Sequence, residues 1–225
     1  MPRISPPDSE SQLMQRANAI AGLTLGEIAA RSQVACPADL KRHKGWSGQL
    51  LERVLGADAH SLPQPDFMDL GIELKTIPVN HSGNPKESTY VCTVPINQTL
   101  SETWTSSWVY QKLQRVLWIP ILIEADAPPL SHRLGMPLLW SPTSADNQLL
   151  QTDWEELMEY IWMGRIDELS SHVGEVLQIR PKAANAAARG VTSSANGELT
   201  TTVPRGFYLR SSFTQTIINQ HYISV

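Results

Sequence analysis

Between positions 65 and 75 the chain reads Pro-Asp-Phe-Met-Asp-Leu-Gly-Ile-Glu-Leu-Lys, in which two of the carboxylates, Asp66 and Glu73, and the amine of Lys75 are spaced for work on a phosphate ester. On an extended strand successive side chains alternate faces, so Ile72 and Leu74 point into a core while Glu73 and Lys75 share the other side. Asp66 lies far enough upstream to meet Glu73 from an adjoining turn or strand. The pair then offers hard oxygen donors of the kind Mg²⁺ prefers, and the backbone carbonyl of Leu74 is a further ligand between them. A metal held there lowers the pKa of a bound water and neutralises charge developing on the phosphate, while Lys75 holds or polarises the attacking water. A Glu-x-Lys on a strand is equally a surface ion pair, and the motif alone leaves both readings open.

Helices come first among the elements that must position these residues. Ser9 to Gln12 and Thr24 to Glu27 have capping-box spacing, and Leu13, Met14, Ala17 and Ile20 recur at helical intervals before Gly22. A third helix is expected over Trp46 to Leu55, with Gly56 as its stop. Beyond Pro63 and Pro65 the pattern turns to strands at Gly71 to Val79, Tyr90 to Pro95, Arg115 to Glu124 and Leu138 to Trp140, which predicts a mixed sheet. A long amphipathic helix follows from about Asp146 to Met163, its acids expected to face solvent. Glu175 to Arg180 reads as a strand, 185–199 as a flexible loop, and Phe213 to Gln220 as a terminal helix. No internal repeat is present.

With 225 residues the chain fits one large domain, or two lobes around a cleft, and no stretch approaches the roughly 20 apolar residues that span a bilayer. The N-terminus lacks the apolar core of a secretory signal, and the two cysteines, Cys36 and Cys92, form no CxxC, so the expectation is a cytoplasmic, reduced protein without structural zinc. The histidines lack zinc-hydrolase spacing and there is no Walker loop, so any ATP requirement belongs to partner proteins. A net charge of −4 argues at first against nucleic acid, but it conceals an asymmetry. From 121 to 175 the bases are Arg133 and Arg165 alone, among many acids. From 176 onward Arg180, Lys182, Arg189, Arg205 and Arg210 face a single acid, Glu198, a surplus suited to phosphates or equally a solvated face.

The P-D…E-x-K pattern resembles the signature of restriction-endonuclease-like nucleases, and longer blocks resemble the MutH family of that superfamily. They are Lys44-Gly45-Trp46-Ser47-Gly48-Gln49-Leu50-Leu51-Glu52, Glu73 to Pro78, Lys112 to Pro120, Leu138 to Pro142, Asp153 to Leu157, Gln178 to Asn185 and Pro204 to Leu209. The resemblance runs nearly the whole chain in order. It implies a single α/β endonuclease domain over 1–225, a mixed sheet flanked by helices with two lobes around a DNA cleft. Catalytic residues would lie within 44–112 and DNA-reading residues largely within 176–212. It also implies Mg²⁺-dependent nicking, with Mn²⁺ as a substitute, of the unmethylated strand 5′ to the G of hemimethylated GATC. The partners implied are double-stranded DNA, MutL as activator and MutS indirectly, and the expected state is a monomer away from membranes.

Residue by residue, Asp66, Glu73 and Lys75 match the family's catalytic trio, with Asp66, Glu73 and Leu74 toward the metal. Glu52 matches its helix glutamate near the metal site, or is an exposed acid beside Arg53. Arg180, Pro181 and Lys182 match an R-P-K element that reads guanine O6 and N7, or anchors phosphate. Tyr208 matches the tyrosine that senses adenine N6, or is a half-buried strand residue. Tyr90 stands where some relatives carry phenylalanine and offers an aromatic wedge. Lys44 is a further DNA contact, and Lys112 is a phosphate or active-site lysine or a surface one. A GATC-specific restriction enzyme would share the trio, and the extended similarity favours repair. An inactive reader of methylation would have lost part of the trio.

Overall fold

The computed structural model describes residues 4–37, 39, 43, 45–59, 64–94, 102–170, 172–182, 190–193, 199–202 and 204–222. In chain order its elements are α1 (Glu10–Ile20), α2 (Leu25–Arg31), α3 (Trp46–Leu55), β1 (Glu73–Val79), β2 (Thr89–Thr93), α4 (Trp108–Leu113) and β3 (Val116–Leu122). Then come β4 (Arg133–Leu134), β5 (Leu138–Trp140), α5 (Ser144–Trp162), β6 (Leu177–Pro181), β7 (Gly190–Ser193), β8 (Leu199–Thr202), β9 (Arg205–Leu209) and α6 (Ser211–Tyr222). They fall into two compact units, one of residues 1–87, 114–141 and 217–225, the other of 88–113 and 142–216.

In the first unit the helices start where local chemistry directs. Ser9 Oγ accepts the Gln12 N–H, and Thr24 and Glu27 close a reciprocal capping box. α3 stops at Gly56 as its sequence predicts. β1 runs parallel to β3, with Glu73 opposite Val116 and Lys75 opposite Trp118, and β4 and β5 pair antiparallel with β3. Leu74, Leu117, Ile119 and Ile121 from one face of these strands join Leu13, Ile28, Leu50 and Leu55 of the three helices in one core. Each such buried side chain contributes roughly 1.5–3 kcal/mol relative to exposure. The opposite face is also dry, since Ile77, Val79, Val116 and Trp118 are buried there, as is usual for parallel strands. Glu73 and Lys75 therefore do not look onto open solvent.

The second unit departs from the single mixed sheet expected. The Tyr90 strand leaves the β1–β3 sheet and joins an antiparallel one of order β2-β9-β6. The partner that draws it away, β9, carries Gly206 and is preceded by Pro204, breaker residues that mask a strand in the sequence. Within 185–199, expected as a loop, residues 190–193 and 199 belong to the β7–β8 hairpin, whereas 185–189 and 194–198 lie outside the described residues. α5 packs on β6. Its acids are not all solvent-facing: Asp153 is buried, and its carboxylate accepts the N–H groups of Glu175, Val176 and Leu177 at 2.9, 2.6 and 2.7 Å. This carboxylate takes up donors at the entry to β6 that the sheet leaves unpaired. Among the described residues no helix is long and apolar enough to cross a membrane.

Candidate active site and basic aromatic face

The turn before β1 determines where Asp66 goes. Met68–Leu70 form a single 3₁₀ turn, and Gly71 reverses the chain at φ +63°, a conformation that disfavours residues with a Cβ. Phe67 and Ile72 then exchange two backbone hydrogen bonds, of 2.9 and 3.2 Å, which lays Asp66 alongside the start of β1. Asp66 Oδ2 accepts the Leu74 N–H at 2.8 Å, so this carboxylate is anchored on the peptide that joins Glu73 to Leu74. The stretch after α3 braces it, since Asp58 and Ala59 donate to the Asp66 carbonyl and Asp58 Oδ1 accepts from Met68 N–H.

Glu73 is only 3% exposed, and its Oε1 lies 2.7 Å from Lys75 Nζ, with the Lys75 side chain 12% exposed. Both sit on the strand face they share with Val116 and Trp118. The backbone supplies a third oxygen. Glu73 N–H donates to Arg115 in the β3 direction and Val79 C=O accepts from Ile123, whereas Ile72 and Pro78 bond on the outer edge. By that alternation Leu74 C=O projects from the same outer edge at which Asp66 holds the Leu74 N–H. Two carboxylates and a carbonyl flank one peptide, a hard-oxygen set that fits a small divalent cation retaining several waters. Among the described residues no group of three or more His, Cys, Asp or Glu gathers, so Glu52 does not join Asp66 and Glu73 as a third side chain of such a group. Glu52 is half-buried on α3, the helix packed against β1.

The second unit brings together Tyr90, Arg180, Pro181, Lys182 and Tyr208, five of the residues singled out for DNA. Arg180 in β6 and Lys182 just past its end are two apart and share a face, the Lys182 N–H still bonding to the Pro204 carbonyl, and Pro181 between them sits on an edge strand where its missing N–H costs nothing. Gln178 and Arg180 lie opposite Tyr208 and Gly206 of β9. Tyr90 of β2 lies opposite Tyr208, their rings edge-to-face with centroids 5.3 Å apart. Lys182 Nζ stands 4.7 Å from the centroid of Tyr90, and the Arg180 guanidinium 5.9 Å from that of Tyr208. Arg180 and Pro181 are exposed, while Tyr90, Lys182 and Tyr208 are half-buried. Lys112 is half-buried in the last turn of α4, which packs on β2, and Lys44 lies outside the described residues.

Three contributors escaped sequence reasoning. Gly206 is one, because a Cβ there would come within 2.7 Å of the Tyr90 ring. Thr93 is another, with its hydroxyl 2.9 Å from both Tyr90 Oη and Lys182 Nζ. Gln178 is the third, buried and donating to Ser88 Oγ at 2.8 Å. Only Gly206 carried a signal, the period-2 pattern of Arg-Gly-Phe-Tyr-Leu, in which Gly206 and Tyr208 fall on one face.

Comparison with known proteins identifies relatives of the chain. A family model described as DNA mismatch repair enzyme MutH matches residues 55–153. The DNA mismatch repair protein MutH of Vibrio parahaemolyticus serotype O3:K6 is 51% identical over 219 residues, 97% of each chain. That of Shewanella baltica (strain OS185) is 50% identical over 220 residues, 98% of this chain and 99% of its own, and that of Vibrio campbellii is 50% identical over 218, 97% and 96%.

Proposed function

Because the chain belongs to the MutH family of DNA mismatch repair enzymes, with a restriction-endonuclease-like α/β fold, we propose that it nicks the unmethylated strand 5′ to G at hemimethylated GATC sites. The observation that carries this reading is the anchoring of Asp66 on the Glu73–Leu74 peptide beside the buried Glu73–Lys75 pair. In the same proposal the enzyme is a cytoplasmic monomer, uses Mg²⁺ with Mn²⁺ as a substitute, and is activated by MutL after MutS has detected a mismatch.

Asp66, Glu73 and the Leu74 carbonyl would hold the metal, with Glu52 nearby on α3. When bound, the metal supplies charge neutralisation at the phosphate and a more acidic water. Lys75 turns from Glu73 to orient the attacking water, whose oxygen bonds to phosphorus as the P–O bond to one ester oxygen breaks. That oxygen departs with the electron pair and is protonated from solvent to the alcohol, while the proton lost by the attacking water passes to solvent. Burial strengthens these charge contacts relative to water. Arg180 and Lys182 read guanine, Tyr208 senses adenine N6, and Tyr90 braces the neighbouring step; Lys112 and Lys44 contact phosphate.

The test compares cleavage of hemimethylated, unmethylated and fully methylated GATC duplexes with Mg²⁺, alone and with MutL and ATP. The expected result is weak nicking of unmethylated strands, accelerated by MutL, with fully methylated DNA resistant. Linear plasmid as the first product would point to a restriction enzyme, and equal rates with and without MutL would remove the partner assignment.

A further inference from the structure

We infer that Thr93 is a positioning residue of the DNA-reading face, joining Tyr90 and Lys182 into one preformed unit; the inference rests on the function proposed above. A strand of regular pleat would point residues 90 and 93 to opposite faces, because they are an odd number apart. β2 breaks that rule with a bulge: Tyr90 pairs with Tyr208, Cys92 with Phe207 and Thr93 with Gly206, so Val91 is the extra residue. The bulge brings the Tyr90 ring and the Thr93 hydroxyl onto the face of Tyr208 and Arg180. Gly206 leaves the room for it, since its missing Cβ is where the Tyr90 ring edge lies.

The hydroxyl is then shared in a definite way. An ammonium has donors and no acceptor, so Lys182 donates to Thr93 Oγ1, at 2.9 Å. The same oxygen is 2.9 Å from Tyr90 Oη, and this second bond is made whichever of the two hydroxyls donates. Lys182 is thereby held over the Tyr90 ring, 4.7 Å from its centroid. An ammonium on a flexible stem would otherwise lose rotamer freedom only on meeting DNA; here that ordering precedes binding.

Thr93→Val keeps the shape and removes the shared oxygen, and Thr93→Ser restores it. With hemimethylated GATC duplex, Thr93→Val should raise KM about five- to thirtyfold, with a smaller fall in kcat and reduced discrimination against a site altered at one base. Thr93→Ser should recover most of the loss. Tyr90→Phe combined with Thr93→Val should be no worse than Thr93→Val alone, because both remove the same bond. In the free protein, the Lys182 ammonium signal in ¹H–¹⁵N spectra should exchange faster with water in Thr93→Val, and circular dichroism should stay that of the parent. Unchanged KM and discrimination in Thr93→Val, or failure of Thr93→Ser to rescue, would overturn the role. If the parent itself shows no preference for GATC, the functional proposal falls separately. Lysine exchange then decides alone: faster in Thr93→Val supports positioning, unaltered overturns it.

Discussion

The edge of β1 and the face of the β2-β9-β6 sheet hold their charges by opposite means. At β1 the carboxylate of Glu73 is 3% exposed and closed on Lys75, and Asp66 is committed to a backbone N–H. On the other face the charges are cations, exposed or half-buried, and they rest against ring faces and hydroxyls. Burying an ion pair costs desolvation that its attraction barely offsets, so such a pair is weak evidence for stability and stronger evidence for a task. A half-exposed cation on an aromatic ring costs little and keeps its charge available to phosphate. Substitution at β1 should therefore disturb chemistry and folding together, whereas substitution on the second face should alter binding with the fold intact.

The largest effects are expected at β1. Asp66→Ala, Glu73→Ala and Lys75→Ala should each lower nicking by about 10²–10³-fold or more, on the scale of removing one group that stabilises the transition state. Raised Mg²⁺ or Mn²⁺ should partly rescue the first two and leave Lys75→Ala inactive. Lys75→Ala also strands a buried carboxylate and should cost roughly 3–5 kcal/mol in urea denaturation, whereas Glu73→Leu with Lys75→Met should be neutral or stabilising by about 1–4 kcal/mol and still inactive. A double variant as unstable as Lys75→Ala would make the pair a scaffold element and abolish the contrast.

Asp153 supplies the control, a buried acid with no proposed part in chemistry. It answers three backbone N–H groups at the entry to β6, so Asp153→Ala should cost roughly 3–4 kcal/mol, less than the sum of three charge-assisted bonds because the segment relaxes. The protein that remains folded should nick at close to the parent rate per molecule. A selective loss of rate without loss of stability would move Asp153 from scaffold to site.

That residue also marks the limit of what the sequence conveys. The capped helices and β1 were legible because each rests on local chemistry: Ser9 and Thr24 as caps, period-2 alternation around Glu73. That alternation also puts Glu73 and Lys75 side by side, whereas the R-P-K element stands out only through the family resemblance, and the roles of both sets remain proposals. What was not legible depends on pairing across long separations. Asp153 meets partners more than twenty residues away, Thr93 meets Lys182 across 89 positions, and the bulge at Val91 exists only against β9. No periodicity within β2 can announce that two residues three apart will share a face.

On the second face the expected effects are smaller and of another kind. Arg180→Ala should lose about 1–3 kcal/mol of discrimination between GATC and altered sites if the guanidinium reads guanine. Equal loss on all DNA, with a salt dependence shallower by about one counterion, would assign it to phosphate. Either result leaves thermal stability near the parent value. A clear fall in Tm would mean that Arg180 supports the sheet, and the distinction between the two regions would weaken.

The smallest effect concerns an exposed ion pair at the start of β3, beside the first residue of β1. Arg115, whose carbonyl receives the Glu73 N–H, binds both oxygens of Glu10 at 2.9 and 2.7 Å. Hydrogen bonding to the Arg115 guanidinium holds the Glu10 carboxyl lower than its ordinary value, against the opposing effect of burial and with help from the charge of Arg115. A carboxyl depressed in the folded state stabilises above its unfolded pKa, and that contribution fades as pH falls through the lower folded value. Both side chains are about a third to a half exposed, so solvent screening limits the pair to about 0.2–1 kcal/mol. Glu10→Gln should therefore lower Tm slightly at pH 7, and the gap from the parent should close as the solution is acidified below the carboxylate range. Added salt should narrow it too, while the effect of Lys75→Ala, whose stranded charge is buried, should persist in the same salt. If Glu10→Gln instead cost as much as Lys75→Ala, the start of β1 would depend on this exposed pair as heavily as on its buried one, and burial would no longer explain why the two charge pairs differ.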